Sequence, residues 1–256
     1  MGGRGGKARK EAELGGGAIS LGSGIDPMQT KIAGAGGSNE GGVYEGSDGV
    51  LRYIKFYKDP TQAYGEALAN SIYRDLGIDA PVGVVFTAKD GRLAFASEMI
   101  KNPTDIGKPT TPRIANKILK GYAADVLMAN RDVIGLVNDN VKMSNRTLYR
   151  IDNGSAFLHR AMGSRKDIGD LNNISEFSYF RDKSSQYAPI FKTANITPRF
   201  DNSVRKQVNN IVRLRDRSGG WDKYVNKRLP NWKSRDKDTI IKMLNLRTEG
   251  LIKAVK

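Results

Sequence analysis

Two aspartates and an asparagine in the middle of the chain have the types and spacing of a metal–phosphate site. Asp132 stands at the end of a long apolar stretch that is predicted to form a buried helix. Asn140 precedes a short apolar segment, and Asp152 follows a second one that is predicted to pair with the first as a hairpin. The hairpin mouth would bring together oxygen ligands suited to Mg²⁺. Each residue by itself is more typical of an ordinary turn.

A lysine and a glutamate earlier in the chain have the types that position phosphates. Lys55 lies within a predicted strand, Leu51 to Tyr57, where strand alternation turns it away from its apolar neighbours. Glu66 lies in the helix that is predicted to follow, and a Lys–Glu ion pair is the usual support for a phosphate-binding lysine. The alternative for both residues is a solvated position on the surface.

A glycine-dense segment precedes this strand and is predicted to be a loop. Because glycine has no Cβ, such a loop allows backbone N–H groups to approach phosphates. A plain flexible hairpin is the alternative. Together with the residues above, the segment completes the parts that phosphoryl transfer from a nucleotide requires. The candidate phosphate-binding residues are Gly36, Gly37, Ser38, Asn39, Gly41 and Gly42.

The elements that must position these residues indicate an α+β chain with two lobes. Residues 1–33 are predicted to be a flexible Gly-rich tail, 34–102 a small nucleotide-binding lobe with an antiparallel sheet and one helix, and 103–256 a large helical catalytic lobe. Asp59-Pro60 predicts the start of the first helix, which should end near Leu76. Pro112 predicts the start of a second helix that reaches to near Asn130.

The composition excludes several classes of chemistry. The 256 residues contain no cysteine and a single histidine, His159, which excludes thiolate catalysis and multi-histidine metal sites. The absence of cysteine fits a cytoplasmic location, which could be a host cytoplasm or a virion. The sequence contains no run of about 18 apolar residues, so no membrane span is expected. The net charge of +15 indicates an anionic partner, and nucleic acid bound through a basic surface is one such partner.

Residues 34–180 resemble the protein-kinase-like superfamily in its atypical branch. That branch includes HipA-type toxin kinases, phosphoinositide kinases and compact kinase-like domains of phage and mobile elements. The segment GGSNEGGVYEG…RYIKFYKDPTQAYGEALANSIYRDLGIDAP resembles the small lobe, and ANRDVIGLVNDNVKM…LYRIDNGSAF resembles the catalytic core. The resemblance implies a two-lobed kinase-like fold that uses ATP and Mg²⁺.

The resemblance also implies a role for each residue in the small lobe. The segment from Gly36 to Gly42 corresponds to the loop that covers the phosphates. Lys55 corresponds to the lysine that contacts the α- and β-phosphates, and Glu66 to its partner on the helix. Glu98 and Met99 fall where the adenine-contacting hinge would lie.

In the catalytic core, Asp132 corresponds to the catalytic aspartate, Asn140 to the metal-binding asparagine and Asp152 to the metal-binding aspartate of D-F-G, here D-N-G. In the family the catalytic aspartate lies five positions before the asparagine, whereas Asp132 lies eight positions before Asn140, so Asn138 is a competing metal ligand. Asp139 is an alternative base. No A-P-E element is visible, so peptide recognition does not follow from the sequence, and His159 is expected to be structural.

The function that this reading predicts is ATP- and Mg²⁺-dependent phosphoryl transfer. An atypical Ser/Thr protein kinase with an unidentified protein acceptor is the preferred form. One alternative is AMP transfer, or small-molecule phosphorylation, by the same fold. Another is a catalytically silent interaction module that holds nucleic acid on its basic surface. The five residues Lys55, Glu66, Asp132, Asn140 and Asp152 together favour an enzyme, because a scaffold does not need them.

Overall fold

The computed structural model describes residues 26–36, 39–107, 111–135, 138–182, 185, 187–193 and 199–256, without the side chains of Phe191 and Arg199. Within these ranges an antiparallel sheet with one long helix precedes a mainly helical part that contains a smaller sheet. This is the α+β, two-lobed arrangement that the sequence predicts. None of the helices in the described ranges combines the length and the apolar character of a membrane span.

The first lobe is built on a five-stranded antiparallel sheet with the strand order β1-β2-β3-β5-β4. The strands are β1 (Thr30–Gly34), β2 (Glu40–Glu45), β3 (Leu51–Phe56), β4 (Gly83–Thr87) and β5 (Leu93–Glu98). Lys55 in the central strand β3 is paired with Gly41 of β2 and with Phe95 of β5. Ile54 and Phe56 pack into the apolar cluster on one face of the sheet, so alternation turns Lys55 to the other face.

Strand β1 begins inside the segment that the sequence assigns to the flexible tail. All five of its residues are exposed, so it lacks the alternation of buried and exposed side chains that marks a strand in a sequence. It pairs with β2 at the edge of the sheet, and this main-chain pairing defines it. Residues 30–33 of the predicted tail therefore belong to the sheet, and residues 1–25 lie outside the described ranges.

Gly41 and Gly42 lie within β2, not in the loop that the sequence predicts for them. Their φ angles are +150° and +147°, and a Cβ on Gly41 would lie 1.9 Å from the carbonyl oxygen of Ile54. A Cβ on Gly42 would lie 2.2 Å from the carbonyl oxygen of Ala33. Close contact between neighbouring strands therefore requires glycine at both positions, independently of any ligand.

Helix α1 (Pro60–Asp75) crosses the sheet and is buried along most of its length. Asp59 is its N-cap and accepts a hydrogen bond from the backbone N–H of Thr61 at 2.9 Å, which confirms the predicted start. Pro60 occupies the first turn, where its missing N–H is of no consequence. The helix ends at Asp75 with Leu76 as its C-cap, close to the predicted end.

A three-stranded antiparallel sheet lies in the second lobe, and two of its strands lie between the predicted site residues Asn140 and Asp152 in the chain. It contains β6 (Thr104–Asp105), β7 (Val141–Ser144) and β8 (Thr147–Arg150), in that order. β7 and β8 form the predicted hairpin, and a short 3-10 turn, Asn153–Ser155, follows it. The sequence does not predict β6, which lies in the polar connection between the lobes.

The long helix predicted from Pro112 to near Asn130 is in fact two helices, α2 (Pro112–Leu119) and α3 (Tyr122–Leu127). The buried guanidinium of Arg150 causes the break. It donates to the carbonyl oxygen of Ile118 at 2.6 Å and forms an ion pair with Asp125 at 3.0 Å. A Cβ on Gly121 would lie 2.2 Å from this guanidinium, so the chain turns at the only kind of residue that fits.

The remaining described elements are helical, as the sequence predicts for the chain after Asp152. They are α4 (Ile168–Asn172), α5 (Glu176–Tyr179), α6 (Ala188–Thr193), α7 (Arg199–Arg217), α8 (Trp221–Arg228) and α9 (Arg235–Ala254). Their apolar faces join those of α2 and α3 in one large core. This core holds the segment from Asn130 to Ser155 against the first lobe.

Candidate active site

The side chains of Lys55, Glu66 and Asp152 meet between the sheet of the first lobe and the hairpin of the second. The ammonium of Lys55 donates to Oε1 of Glu66 at 2.9 Å and to Oδ1 of Asp152 at 2.7 Å. Lys55 and Glu66 are buried, whereas the Asp152 side chain is 46% exposed. The structure thus brings together three of the residues that the sequence singles out, including the predicted ion pair of Lys55 and Glu66.

The charge of Lys55 is secured by its two carboxylate neighbours. Burial by itself lowers the pKa of an ammonium, but Glu66 and Asp152 outweigh that effect and raise the pKa of Lys55 above its ordinary value. Lys55 therefore carries a full positive charge across the physiological range of pH. A buried cation that faces a cleft is suited to hold an anionic group such as a phosphate.

Glu66 is held by three donors, and two of them were not identified from the sequence. The hydroxyl of Tyr57 donates to Oε2 of Glu66, and the backbone N–H of Asn153 donates to Oε1 at 3.2 Å. Burial, and to a lesser degree the negative charge of Glu66, raises the pKa of Tyr57 well above its usual range. The phenol therefore stays protonated and donates the hydrogen bond. Tyr57 follows β3 directly, which is the only sequence signal that could have suggested it.

Asp132 and Asn140 are in direct contact. The amide N–H group of Asn140 donates to the backbone carbonyl of Asp132 at 2.7 Å and to its carboxylate at 3.1 Å. Asp132 is half-buried, and its own backbone N–H is bonded to the Asn130 side chain at 3.3 Å. Asn140 therefore contacts Asp132 although it lies eight positions later in the chain.

Asn138 faces a different part of the molecule. Its side chain is buried and donates to the carbonyl oxygen of Gly107 at 3.0 Å, in the connection between the lobes. Asn140 and Asp139 instead line the cleft that contains Lys55. This geometry favours Asn140 over Asn138 as a ligand, although the choice of ligand stays a prediction.

A cleft of about 370 Å³ connects these groups and has room for a nucleotide. Glu98 and Met99 lie on its wall, where an adenine-contacting hinge is predicted. Their backbone N–H groups are already bonded to the carbonyls of Val82 and Leu51. A contact with adenine from these two residues would therefore have to use other atoms, and their role stays a prediction.

The glycine-dense segment contributes less to the cleft than the sequence suggests. Gly36 lines it, and the backbone N–H of Gly36 is held by the hydroxyl of Tyr53 at 3.0 Å. Asn39, Gly41 and Gly42 are not among the residues of its wall. Gly37 and Ser38 lie outside the described residues, so a phosphate-covering loop stays a prediction.

The oxygen atoms of Asp152 and Asn140 are suitable ligands for a magnesium ion bound together with a nucleotide. Because Asn140 uses its N–H group toward Asp132, its amide oxygen is turned away and remains for a cation. Within the described ranges no three His, Cys, Asp or Glu side chains cluster as a ready-made metal site. Mg²⁺ needs no such cluster, since it binds through one or two protein oxygens together with phosphates and water.

A latch of charged side chains fixes the start of α1 to the second lobe. Arg165 donates to Asp59 at 2.7 Å and to Asp236 at 2.8 Å, and His159 is 3.0 Å from Asp59. Asp236 also accepts from the hydroxyl of Thr61 at 2.7 Å. Burial lowers the pKa of His159, which agrees with the structural role expected for it. The latch sets the position of the helix that carries Glu66.

Two more sets of contacts support the segment from Ala129 to Ser155, and neither was found from the sequence. Glu176 accepts from Arg131 at 2.9 Å and also pairs with Arg247, both of which reach it from distant parts of the chain. Lys166 donates to the carbonyls of Ala129 and Ser155 at 2.8 and 2.7 Å. These contacts join the residues before Asp132 to those after Asp152.

Comparison with known proteins supports the fold. No family model matches the chain, and no curated protein matches it in sequence. The crystal structure of the proinflammatory kinase CtkA from Helicobacter pylori is similar to it with a TM-score of 0.55 at 16% identity, covering 90% of this chain and 95% of that one. Choline kinase LicA from Streptococcus pneumoniae gives a TM-score of 0.36 at 14% identity, covering 90% and 93%. The chain thus has a two-lobed, protein-kinase-like fold.

Proposed function

We propose that this protein is an ATP- and Mg²⁺-dependent phosphotransferase. The observation that carries the proposal is the contact of Lys55 with both Glu66 and Asp152, at 2.9 and 2.7 Å, on the wall of a cleft. A buried ion pair adds little net stability, because desolvation offsets the attraction, so stability alone does not account for Lys55 at this position. Positioning of nucleotide phosphates beside a metal ligand is a role that accounts for it.

The residues divide the work of transfer among them. Lys55 holds the phosphates, and Glu66, fixed by Tyr57, keeps the ammonium in place. Asn140 and Asp152 would hold Mg²⁺, which when bound neutralises charge on the phosphates. Asp132 orients the acceptor hydroxyl and receives its proton, and its contact with Asn140 ties the acceptor to the metal position.

For the acceptor we propose a serine or threonine hydroxyl of a protein, as in an atypical protein kinase. Asp132 is half-buried and lies outside the cleft wall, next to the cleft residue Asn140, so it is partly open to an acceptor beside the nucleotide position. Membership in the atypical branch and a cytoplasmic location belong to the same proposal and rest on the sequence.

The experiment is a comparison of two labels with the wild-type protein and Mg²⁺. We expect ³²P from γ-labelled ATP to be transferred to a mixture of protein acceptors, or to the chain itself, and no transfer from α-labelled ATP. Acid hydrolysis of the product should yield phosphoserine or phosphothreonine. Transfer of the α-label alone would contradict the proposal and indicate AMP transfer.

A catalytically silent module is the alternative. In this alternative, the charged groups of the cleft stabilise the fold and take no part in a reaction. The carboxylate of Asp152 contacts the buried Lys55 and is still 46% exposed on the cleft wall, so it stays accessible to a metal ion, which favours the enzyme.

A further inference from the structure

A second cavity lies behind the catalytic hairpin, on the face of β7 that is turned away from the nucleotide cleft. Its volume is about 430 Å³, and Thr104, Met143 and Arg146 are on its wall. The neighbouring residue Lys142 lines the nucleotide cleft instead, as expected for adjacent residues of a strand. We call this cavity the hairpin pocket, and the sequence gives no hint of it.

Three cations line the hairpin pocket: Arg113 and Lys117 from α2, and Arg146 from the turn of the hairpin. None of the described residues on its wall is acidic. None of the ion pairs between described residues involves these three cations, whereas Lys142 on the opposite face is paired with Asp105. A pocket with like charges only on its wall attracts an anion, because an anion relieves their mutual repulsion.

The turn that carries Arg146 is built at a cost to the backbone. Asn145 and Arg146 connect β7 to β8 with φ angles of +47° and +67°. A two-residue hairpin turn with both φ angles positive strongly prefers glycine at its second position. Arginine there is strained, and a strained backbone that persists points to a use for the side chain.

Two hydroxyl groups of the pocket donate to backbone carbonyls, and its cations keep donor groups for a ligand. Thr104 donates to the carbonyl of Met143 at 3.2 Å, and Ser144 donates to that of Lys101 at 2.6 Å. The ammonium of Lys117 donates to the carbonyl of Arg146 at 2.7 Å, which fixes the turn against α2 and leaves two of its protons. Arg113 and Arg146 retain guanidinium groups, whose planar forks match phosphate oxygens.

We propose that the hairpin pocket binds a phosphate group, separately from the nucleotide cleft. The group is the free ion or a phosphate monoester on a larger ligand, and Arg113, Lys117 and Arg146 are its partners. The pocket does not depend on the proposed catalytic function. Its position matters to that function, because the hairpin joins Asn140 before β7 to Asp152 after β8.

The test is the rise in melting temperature that inorganic phosphate causes in the full chain, measured against sodium chloride of equal ionic strength. The background is Lys55→Met, which removes phosphate binding in the nucleotide cleft. We expect Lys55→Met to keep a saturable rise, since a ligand of the native state stabilises it by mass action. Adding Arg113→Gln and Arg146→Gln should weaken the apparent affinity at least about tenfold. Adding Lys206→Gln, an exposed cation on α7, is the matched control and should leave it unchanged.

Arg146→Gly separates a binding role from a structural one. Glycine relieves the turn, so this variant should melt at a higher temperature than the wild type without phosphate and show a smaller rise with it. A stabilised variant with the full rise would overturn the proposal, as would an equal affinity in the Arg113→Gln, Arg146→Gln protein.

Titration with a phosphoserine peptide and its unphosphorylated form then identifies the source of the phosphate group. Tighter binding than inorganic phosphate indicates a phosphoprotein, and equal binding indicates the free ion.

Discussion

The ammonium of Lys55 donates to the carboxylate of Asp152 at 2.7 Å, although 97 positions of the chain separate the two residues. Lys55 belongs to the sheet of the first lobe, and Asp152 follows the hairpin of the second. The contact therefore fixes the proposed phosphate-binding and metal-binding positions relative to each other without a bound nucleotide. Such preorganisation is what a transfer reaction with little covalent chemistry requires of its protein.

Loss of one partner of the buried pair of Lys55 and Glu66 should destabilise the protein more than replacement of both partners. Lys55→Met leaves the Glu66 carboxylate buried without its cation, and we expect the free energy of unfolding to fall by about 3 kcal/mol. Adding Glu66→Gln removes the uncompensated charge and should recover at least about 1 kcal/mol of it. Urea unfolding of the wild type and both variants measures this. A double variant no more stable than Lys55→Met would refute the electrostatic account.

Asp132 and Asp139 compete for the role of the base, and the same substitution distinguishes them. Asp132→Asn should lower the transfer rate at least about a hundredfold, because the acceptor hydroxyl loses its proton acceptor. ATP binding should persist, since Asp132 is not on the wall of the cleft. Asp139→Asn is the matched control and should retain activity. Steady-state kinetics decides the matter, and the reverse order of effects would reassign the base to Asp139.

The latch at the start of α1 should affect catalysis without touching a substrate. Arg165→Gln removes the links to Asp59 and Asp236, and we expect the transfer rate to fall about three- to tenfold. Stability should change by only about 1 kcal/mol, because Arg165 is half-exposed. Hydrogen exchange of the α1 amides should become faster.

Arg160→Gln is the control for the latch, since Arg160 pairs with Asp167 and Asp170 within the second lobe. It should change neither the rate nor the exchange of α1. Equal effects of Arg165→Gln and Arg160→Gln would show that the latch has no special part in holding Glu66.

Lys166 should make stability depend on pH above neutrality. Burial lowers the pKa of Lys166 from 10.5 to about 7, so between these values the unfolded chain binds one proton more than the folded chain. Stability should therefore rise with pH from about 7 to about 10.5, by up to about 1.4 kcal/mol per unit. Urea unfolding at pH 7, 8 and 9 checks the slope. Lys166→Met should flatten it, and an unchanged slope would show that other groups cause it.

Local signals in the sequence predict the elements that local chemistry determines. Asp59 and Pro60 mark the start of α1 because capping and the missing N–H act within one turn. The spacing of short apolar segments predicts the hairpin of β7 and β8, and Asn140 and Asp152 at its two ends line the same cleft. Lys55 is placed correctly because strand alternation is a property of the backbone itself.

Features that depend on distant partners could not be predicted in this way. The break between α2 and α3 is caused by the guanidinium of Arg150, which is 32 positions from its acceptor, Ile118. A glutamate such as Glu176 is expected on the surface from sequence alone. Its burial depends on Arg247, which lies 71 positions later in the chain. Strand β1 has no buried side chain, so only its pairing with β2 defines it.

Mg²⁺-dependent transfer of ³²P from γ-labelled ATP by the wild type, Asp152→Asn and Asp105→Asn tests the central claim most directly. Asp105→Asn removes an exposed carboxylate from the same small sheet, the partner of the cleft residue Lys142, so it controls for the loss of one negative charge beside the cleft. Lys55 keeps Glu66 as its partner in Asp152→Asn, so the fold should survive. We predict transfer by the wild type and by Asp105→Asn, and at least a hundredfold loss, about 2.7 kcal/mol, in Asp152→Asn. Equal transfer by all three proteins would contradict the assignment of Asp152, and with it the site proposed between the lobes.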